Sequence, residues 1–368
     1  MTQSLIRFNN EVIMKTRTYG WILCFVLLGL TSCSQALSTP IDQPAIEGEA
    51  TSVITPTTAL SVTTESISSS TDEPTLAPEA TETPRAFSRL NPADVQGEIL
   101  CSIYPDGEIA IIQADGSEMA ILLEMAGNVG INDNRHVNWL PGGNGYSYTV
   151  DDFSTAEIWV RDNLENPGQL FLDDVASNSA HTWSPDGRSL AYVSTSNQIF
   201  LHNLDSQTRS PLTGDQFRSA ADPAWSPDGA QIAFSGSESG RTNIYLISVD
   251  GKDLIRLTDH PGVDQSPAWS PDGSKIIFSS TRDGDHIKDI YVIVPNEGTE
   301  EEGNIPLQLT DDDTLDINPD WSPDGQYIVY AAHTLGAAHA TLFIIDQEGT
   351  ARLQLTEENT YHYPQWRP

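Results

Sequence analysis

Acidic side chains carry most of the chemistry that this sequence offers. Asp222, Asp264 and Asp316 stand out because their placement repeats: each lies three or five residues ahead of a tryptophan, at Trp225, Trp269 and Trp321. Aspartates gathered at one site can act as general acid and base, or supply oxygen ligands to a hard cation such as Ca²⁺. The same register puts His136, Ala180, Ser266, Asn318 and Tyr363 three residues ahead of a tryptophan, and Asn134, Asn178, Ala220 and Tyr361 five ahead. Residues two apart on a strand share a face, so both sets are expected to point the same way. Asp222, Asp264 and Asp316 are therefore the candidate ligand-binding residues. Side chains that merely hydrate a channel would give the same pattern, and the sequence leaves both readings open.

Other chemistry finds less support. Gly236-Ser-Glu-Ser-Gly240 approaches the Gly-x-Ser-x-Gly elbow of serine hydrolases, but Glu238 stands where the nucleophile belongs. Asp311-Asp-Asp313 with Asp316 and Asp320, and Arg282-Asp-Gly-Asp-His286, are rich in oxygen ligands. Neither has the spaced ligands and glycine of a calcium loop, so no cofactor is expected and Ca²⁺ stays an open alternative. His333 and His339 are six apart, which is not a zinc spacing. No set of nucleophile, base and orienting group emerges, so no catalytic residue is assigned.

The tryptophans belong to a repeat. Trp-Ser-Pro-Asp-Gly occurs at 183–187, 225–229, 269–273 and 321–325, with weaker forms at Trp139-Leu-Pro-Gly-Gly143 and Trp366-Arg-Pro368. The six tryptophans fall 44, 42, 44, 52 and 45 residues apart, a period that marks a repeat architecture. Ser-Pro-Asp-Gly suits a tight turn: proline fixes φ, aspartate offers a side-chain acceptor, and glycine accepts φ above zero. An apolar run follows each turn, with an aromatic nine residues after the tryptophan (Tyr148, Tyr192, Phe234, Phe278, Tyr330). A third run such as Asn243-Ile-Tyr-Leu246 and a fourth ending in Leu-Thr complete each unit. Four short antiparallel strands per unit make a propeller blade. Residues 98–123 supply strands two to four of a first blade, and 361–366 supply its missing first strand, so the expectation is a closed all-β ring of six blades. The six tryptophans are expected to pack between blades.

This pattern resembles the WD-repeat-like propeller repeats of the TolB family, on the strength of Trp-Ser-Pro-Asp-Gly, the Ile-Tyr strand, the Leu-Thr ending and Phe278-Ser-Ser-Thr-Arg-Asp-Gly284. The resemblance covers residues 94–368 and implies the fold. TolB proteins also carry an α/β domain ahead of the propeller that contributes to partner contacts, and residues 1–93 do not resemble it.

Those residues read differently. Lys15 and Arg17, the apolar run 21–30 and Leu30-Thr-Ser-Cys33 resemble a bacterial lipoprotein signal, with Met14 as the start and Cys33 as the acylated mature N-terminus. The apolar run is too short to span a bilayer. Residues 34–93 are rich in Ser, Thr, Pro and Glu, with no aromatic before Phe87. Such a composition cannot bury a core and is expected to form a disordered tether, averaging roughly 45 Å end to end. Cys24 lies in the signal and Cys101 alone in the propeller, which leaves no disulfide.

The chain carries 52 acidic and 18 basic residues for a formal net charge of −34, nearly all of it beyond residue 93. That balance argues against nucleic acid and against anionic lipid surfaces as partners. Together these readings describe a lipid-anchored, extracytoplasmic, monomeric propeller. It is expected to bind a protein or peptide of the cell envelope, or a glycan, without catalysis. The alternative is a hydrolase or lyase working at the channel mouth on glycans or peptides.

Overall fold

The computed structural model describes residues 87–104, 107–123, 136–151, 156–177, 179–283, 287–335, 340–357 and 360–368. The signal segment, Cys24, Cys33, residues 34–86, Asn134, Asn178, 284–286 and His339 lie outside them. Among the described residues, no helix is long and apolar enough to cross a membrane.

The described residues form six blades of four antiparallel strands. Blade 1 comprises Thr360–Trp366, Glu98–Tyr104, Glu108–Gln113 and Met119–Leu123 from the channel outward. Blade 2 comprises Val137–Trp139, Tyr146–Asp151, Ala156–Arg161 and Gln169–Val175. Blade 3 runs His181–Trp183, Ser189–Val193, Ile199–Asn203 and Thr208–Pro211. Blade 4 runs Ser219–Trp225, Gln231–Glu238, Arg241–Ser248 and Leu254–Arg256. Blade 5 has Asp264–Trp269, Ile276–Ser280, Asp289–Ile293 and Leu307–Gln308, and blade 6 has Thr314–Trp321, Tyr327–Thr334, Ala340–Asp346 and Ala351–Gln354. Closure follows the expected route, with Thr360–Trp366 pairing antiparallel to Glu98–Tyr104.

The repeated residues each do local work. In blade 5, Ser270 Oγ donates to Asp272 Oδ1 at 2.6 Å and accepts the Lys275 N–H at 2.9 Å, while Gly273 N–H closes the turn onto Ser270 O. Gly273 has φ +71°, and a Cβ there would also sit 3.2 Å from the Pro227 ring of blade 4. The Leu-Thr ending serves the third strand: Thr213, Thr258 and Thr310 Oγ1 each accept a backbone N–H at 2.9 Å, from Ile199, Ile244 and Ile290.

The core is a series of seams between neighbouring blades. One typical seam joins Ala233, Leu246 and Leu257 of blade 4 to Ile276, Phe278 and Tyr291 of blade 5. The recurring aromatics Phe234, Phe278 and Tyr330 are fully buried, each burial stabilising by about 2–3 kcal/mol. Cys101 packs in the seam between blades 6 and 1, where burial pushes its thiol pKa up to about 12.

Packing begins ahead of residue 94. Ser88–Arg89 forms a short strand parallel to Ala351–Gln354 on the outer edge of blade 6, and Phe87 and Leu90 pack into the seams on either side of that blade.

Candidate functional site

The inner strands surround a central channel holding a cavity of about 200 Å³. Its wall contains every residue three ahead of one of the six repeat tryptophans: His136, Ala180, Asp222, Ser266, Asn318 and Tyr363. The described residues five ahead do not line it. Among the described ones, Ala220, Asp264 and Asp316 have no exposed surface, and Tyr361 is buried. The expected common orientation fails for a local reason. Asp222, Ser266, Asn318 and Tyr363 adopt φ of 50–54°, and the strand pairing slips at each. A bulge breaks the two-residue alternation and turns the two sets apart.

A signal for the bulge is present in the sequence. Pro223, Pro267, Pro319 and Pro364 follow the four left-handed residues. Proline cannot donate to a ladder and is confined to edge strands and bulges, and the inner strand of a blade is an edge facing the channel. Blades 2 and 3 have Val137 and His181 at this position, and neither His136 nor Ala180 takes positive φ.

The three aspartates therefore occupy different settings. Asp222 faces the channel, where its Oδ2 accepts from Ser235 Oγ at 2.9 Å and from the Ser266 N–H at 3.2 Å. Ser266 Oγ in turn donates to Asn318 Oδ1 at 3.2 Å. Asp264 is locked in a buried ion pair with Arg282 at 3.2 Å, and the same guanidinium reaches Glu300 at 3.0 Å and lies over the Tyr291 ring. Asp316 accepts from Thr314 Oγ1 at 2.7 Å, and its other oxygen is buried without a partner. Burial, reinforced by Asp312, pushes the Asp316 pKa well above the usual carboxylate range. Nearby Asp289 is pushed up to about 8 by burial and by Asp283, Asp311 and Asp312. Asp283 of one acidic stretch and Asp311 and Asp312 of the other thus both act on Asp289. Among the described residues, however, no group of three or more His, Cys, Asp or Glu side chains is placed to hold a metal ion.

On the regular side of the channel, His181 Nε2 lies 2.7 Å from Ser147 Oγ, which also accepts the Trp183 indole N–H at 2.9 Å. Burial drives the His181 pKa down to about 3, so the ring is neutral. Ser147 has no exposed surface and offers its hydroxyl no approach to a substrate. Ala191, Ala233, Ile277 and Val329 occupy the equivalent place in blades 3 to 6. The indole N–H groups of Trp225, Trp269, Trp321 and Trp366, each facing one of those residues, accordingly find no acceptor.

On the side of the Trp-Ser-Pro-Asp-Gly turns lies a second hollow of about 480 Å³, and Asn138, Thr182, Asp320 and Gln365 border both it and the channel cavity. Pro141, Pro185, Pro227, Pro271, Pro323 and Pro368, one from each blade and all exposed, ring this mouth with Trp139, Trp183, Trp321 and Trp366 among them. Outside the prolines stand the exposed Asp186, Asp228, Asp272 and Asp324. Hydrogen bonds from Ser184, Ser226 and Ser270 hold Asp186, Asp228 and Asp272 below the usual carboxylate range, with Asp272 at about 2. Sequence reading missed this mouth because it treated proline and aspartate as turn formers only.

Comparison with known proteins agrees with this architecture. The family described as the TolB beta propeller domain matches residues 166–368. An uncharacterised protein of Agrobacterium fabrum is 28% identical over 214 residues, which are 51% of this chain and 67% of that protein. The crystal structure of TolB from Acinetobacter baumannii superposes with a TM-score of 0.62 at 22% identity, covering 74% of this chain and 67% of the other. A putative TolB from Agrobacterium tumefaciens gives 0.54 at 18% identity, covering 74% and 99%. At these identities the two structures speak for the fold.

Proposed function

The chain belongs to the TolB β-propeller family, and from that premise we propose that it is an extracytoplasmic recognition module. It is tethered to a bacterial membrane by lipid at Cys33 and docks a polypeptide of the cell envelope at its proline-ringed mouth. The observation that carries this reading is the mouth itself: a hollow ringed by six exposed prolines, with edges of four largely buried tryptophans in its wall, that shares four lining residues with the channel cavity. Apolar pockets with a few polar groups at their rim are where partners bind, and aromatic and proline surfaces are suited to extended peptide. A glycan is a weaker fit, because the polar groups of the mouth are largely spent on their own turns.

The reading is non-catalytic. Acid–base work by Asp222, Asp264 and Asp316 would need them in one cavity, and only Asp222 lines the channel.

Photo-cross-linking tests the docking surface. The full chain carries benzoylphenylalanine at Pro227 or, as a control on an exposed outer edge, at Ile305, and is mixed with envelope extract. A polypeptide captured from Pro227 and not from Ile305 is the expected result. Equal capture from both, or none from either, removes the reading. For the anchor, Cys33→Ala is expected to move the protein from the membrane fraction to the soluble one and to abolish incorporation of labelled palmitate.

A further inference from the structure

The mouth is flanked by grooves between neighbouring turns, and two of them make a controlled pair. Between blades 5 and 6, a groove of about 360 Å³ is walled by Pro271, Asp272, Trp321, Pro323 and Asp324. Lys275 runs into it. The ammonium lies 6.0 Å from the Trp321 ring centroid and donates to Gln347 Oε1 at 3.1 Å. The fold thus shows a cation accommodated in such a groove, beside an indole and an amide oxygen, with Asp272 and Asp324 among the residues that wall it.

Between blades 3 and 4 the same groove recurs, about 450 Å³, walled by Pro185, Asp186, Trp225 and Asp228. The residue at the position of Lys275 is Ser189, and the one at the position of Gln347 is Val249; both line the groove. The carboxylates and the indole are kept while the internal cation is gone. Arg188 adds to the positive field at Asp186, but its exposed guanidinium makes its ion pair with Asp205 at 3.9 Å and is not among the residues that wall the groove. Asp228 has no basic partner among the described residues, and its own turn hydroxyl and the Ala230 N–H hold its carboxylate in place.

We propose that the groove between blades 3 and 4 receives a lysine or arginine side chain of the docked polypeptide, in the place that Lys275 fills between blades 5 and 6. This rests on the reading of the mouth as the docking surface and specifies its partner: a segment with apolar residues for the proline ring and a basic residue for the groove. The excess of negative charge on the chain favours such a segment at longer range and speeds its approach.

The full chain labelled with 5-fluorotryptophan tests this by ¹⁹F NMR, with the Trp225 signal assigned through Trp225→Phe. Acetyl-arginine methylamide is the probe and acetyl-norleucine methylamide the uncharged control, both in 0.15 M salt. A saturable shift of Trp225 with the arginine probe alone is expected, weakened about tenfold by Asp186→Asn with Asp228→Asn. Ser189→Lys is expected to abolish it by supplying the cation internally; Lys275 shows that this backbone position accepts lysine. Lys275→Ser is expected to create a new saturable shift at Trp321. No saturation at Trp225, an equal response to norleucine, or an unchanged response in Ser189→Lys overturns the proposal. The cross-linking experiment separates the two levels. If wild type and Ser189→Lys capture the same polypeptide equally from Pro227, the groove is not used and the docking surface stands. If wild type captures nothing, the docking reading falls, and the arginine titration still decides whether the groove holds a cation.

Discussion

Asp320 shows how one carboxyl can serve closure and channel together. It lies in the inner strand of blade 6, borders both the cavity and the mouth, and accepts the Trp366 N–H of blade 1 at 2.7 Å. Burial pushes its pKa up to about 7, against hydrogen bonds from the Trp366 and Trp321 backbone. The native state therefore binds this proton more tightly than the unfolded chain does. Its contribution is most favourable below the unfolded value of 3.8 and is lost as pH rises toward 7. Asp320→Asn, which keeps an acceptor without the charge, should make melting temperature less dependent on pH between about 4 and 7 than in wild type, as read by calorimetry. The threonine of the Leu-Thr ending invites a simpler test. Thr258→Val removes a buried acceptor from the Ile244 N–H and should cost about 1–2 kcal/mol in urea unfolding, with the slope unchanged.

At the level of elements, the turn signature could be read directly because its residues act on one another over five positions. Serine, aspartate and glycine of 270–273 each close a hydrogen bond within the turn, so no distant contact is needed to predict it. Gly273 adds a demand from outside, since the blade 4 proline fills the space a side chain would take. Gly273→Ala should destabilise by roughly 1–3 kcal/mol in the same unfolding assay, more than the equivalent change at Gly240, which has open space around it. The inner strands were harder to read. Alternation is a sound rule for a regular strand, and it put Asp222, Asp264 and Asp316 on one face. A single left-handed residue before proline reverses the alternation, and that conformation depends on the strand's free edge along the channel. The recurrence of Pro223, Pro267, Pro319 and Pro364 marked the place, but its geometric effect depends on tertiary structure. The grooves between the turns were hidden for a related reason: Lys275 and Trp321 are 46 residues apart, and only the stacking of blades 5 and 6 makes them neighbours.

For the whole molecule, six blades and their closing strand were foreseeable because period, turn and strand patterns all agreed. The net charge of −34 sets a cost on compactness through self-repulsion, so melting temperature should rise as NaCl goes from 10 to 300 mM. Removing residues 360–368 takes Tyr361 and Trp366 from the seam of blades 6 and 1 and should lower the melting temperature by roughly 10 °C or more. The two ends of the propeller also trade strands. The end of the chain gives blade 1 its inner strand, while Ser88–Arg89, lying just before blade 1 in sequence, adds to the outside of blade 6. This gives the ring a load path. A pull on the chain ahead of Phe87 meets blade 6 first, at the Ser88 N–H bond to Thr350 O, the Leu90 N–H bond to Arg352 O and the Arg352 guanidinium over the Phe87 ring. Only when these have parted does force reach Glu98–Tyr104 and the closing seam. The short outer strand works as a strain relief, like the clamp on a cable where it enters a housing, and the joint that closes the ring carries no tension until the clamp has slipped.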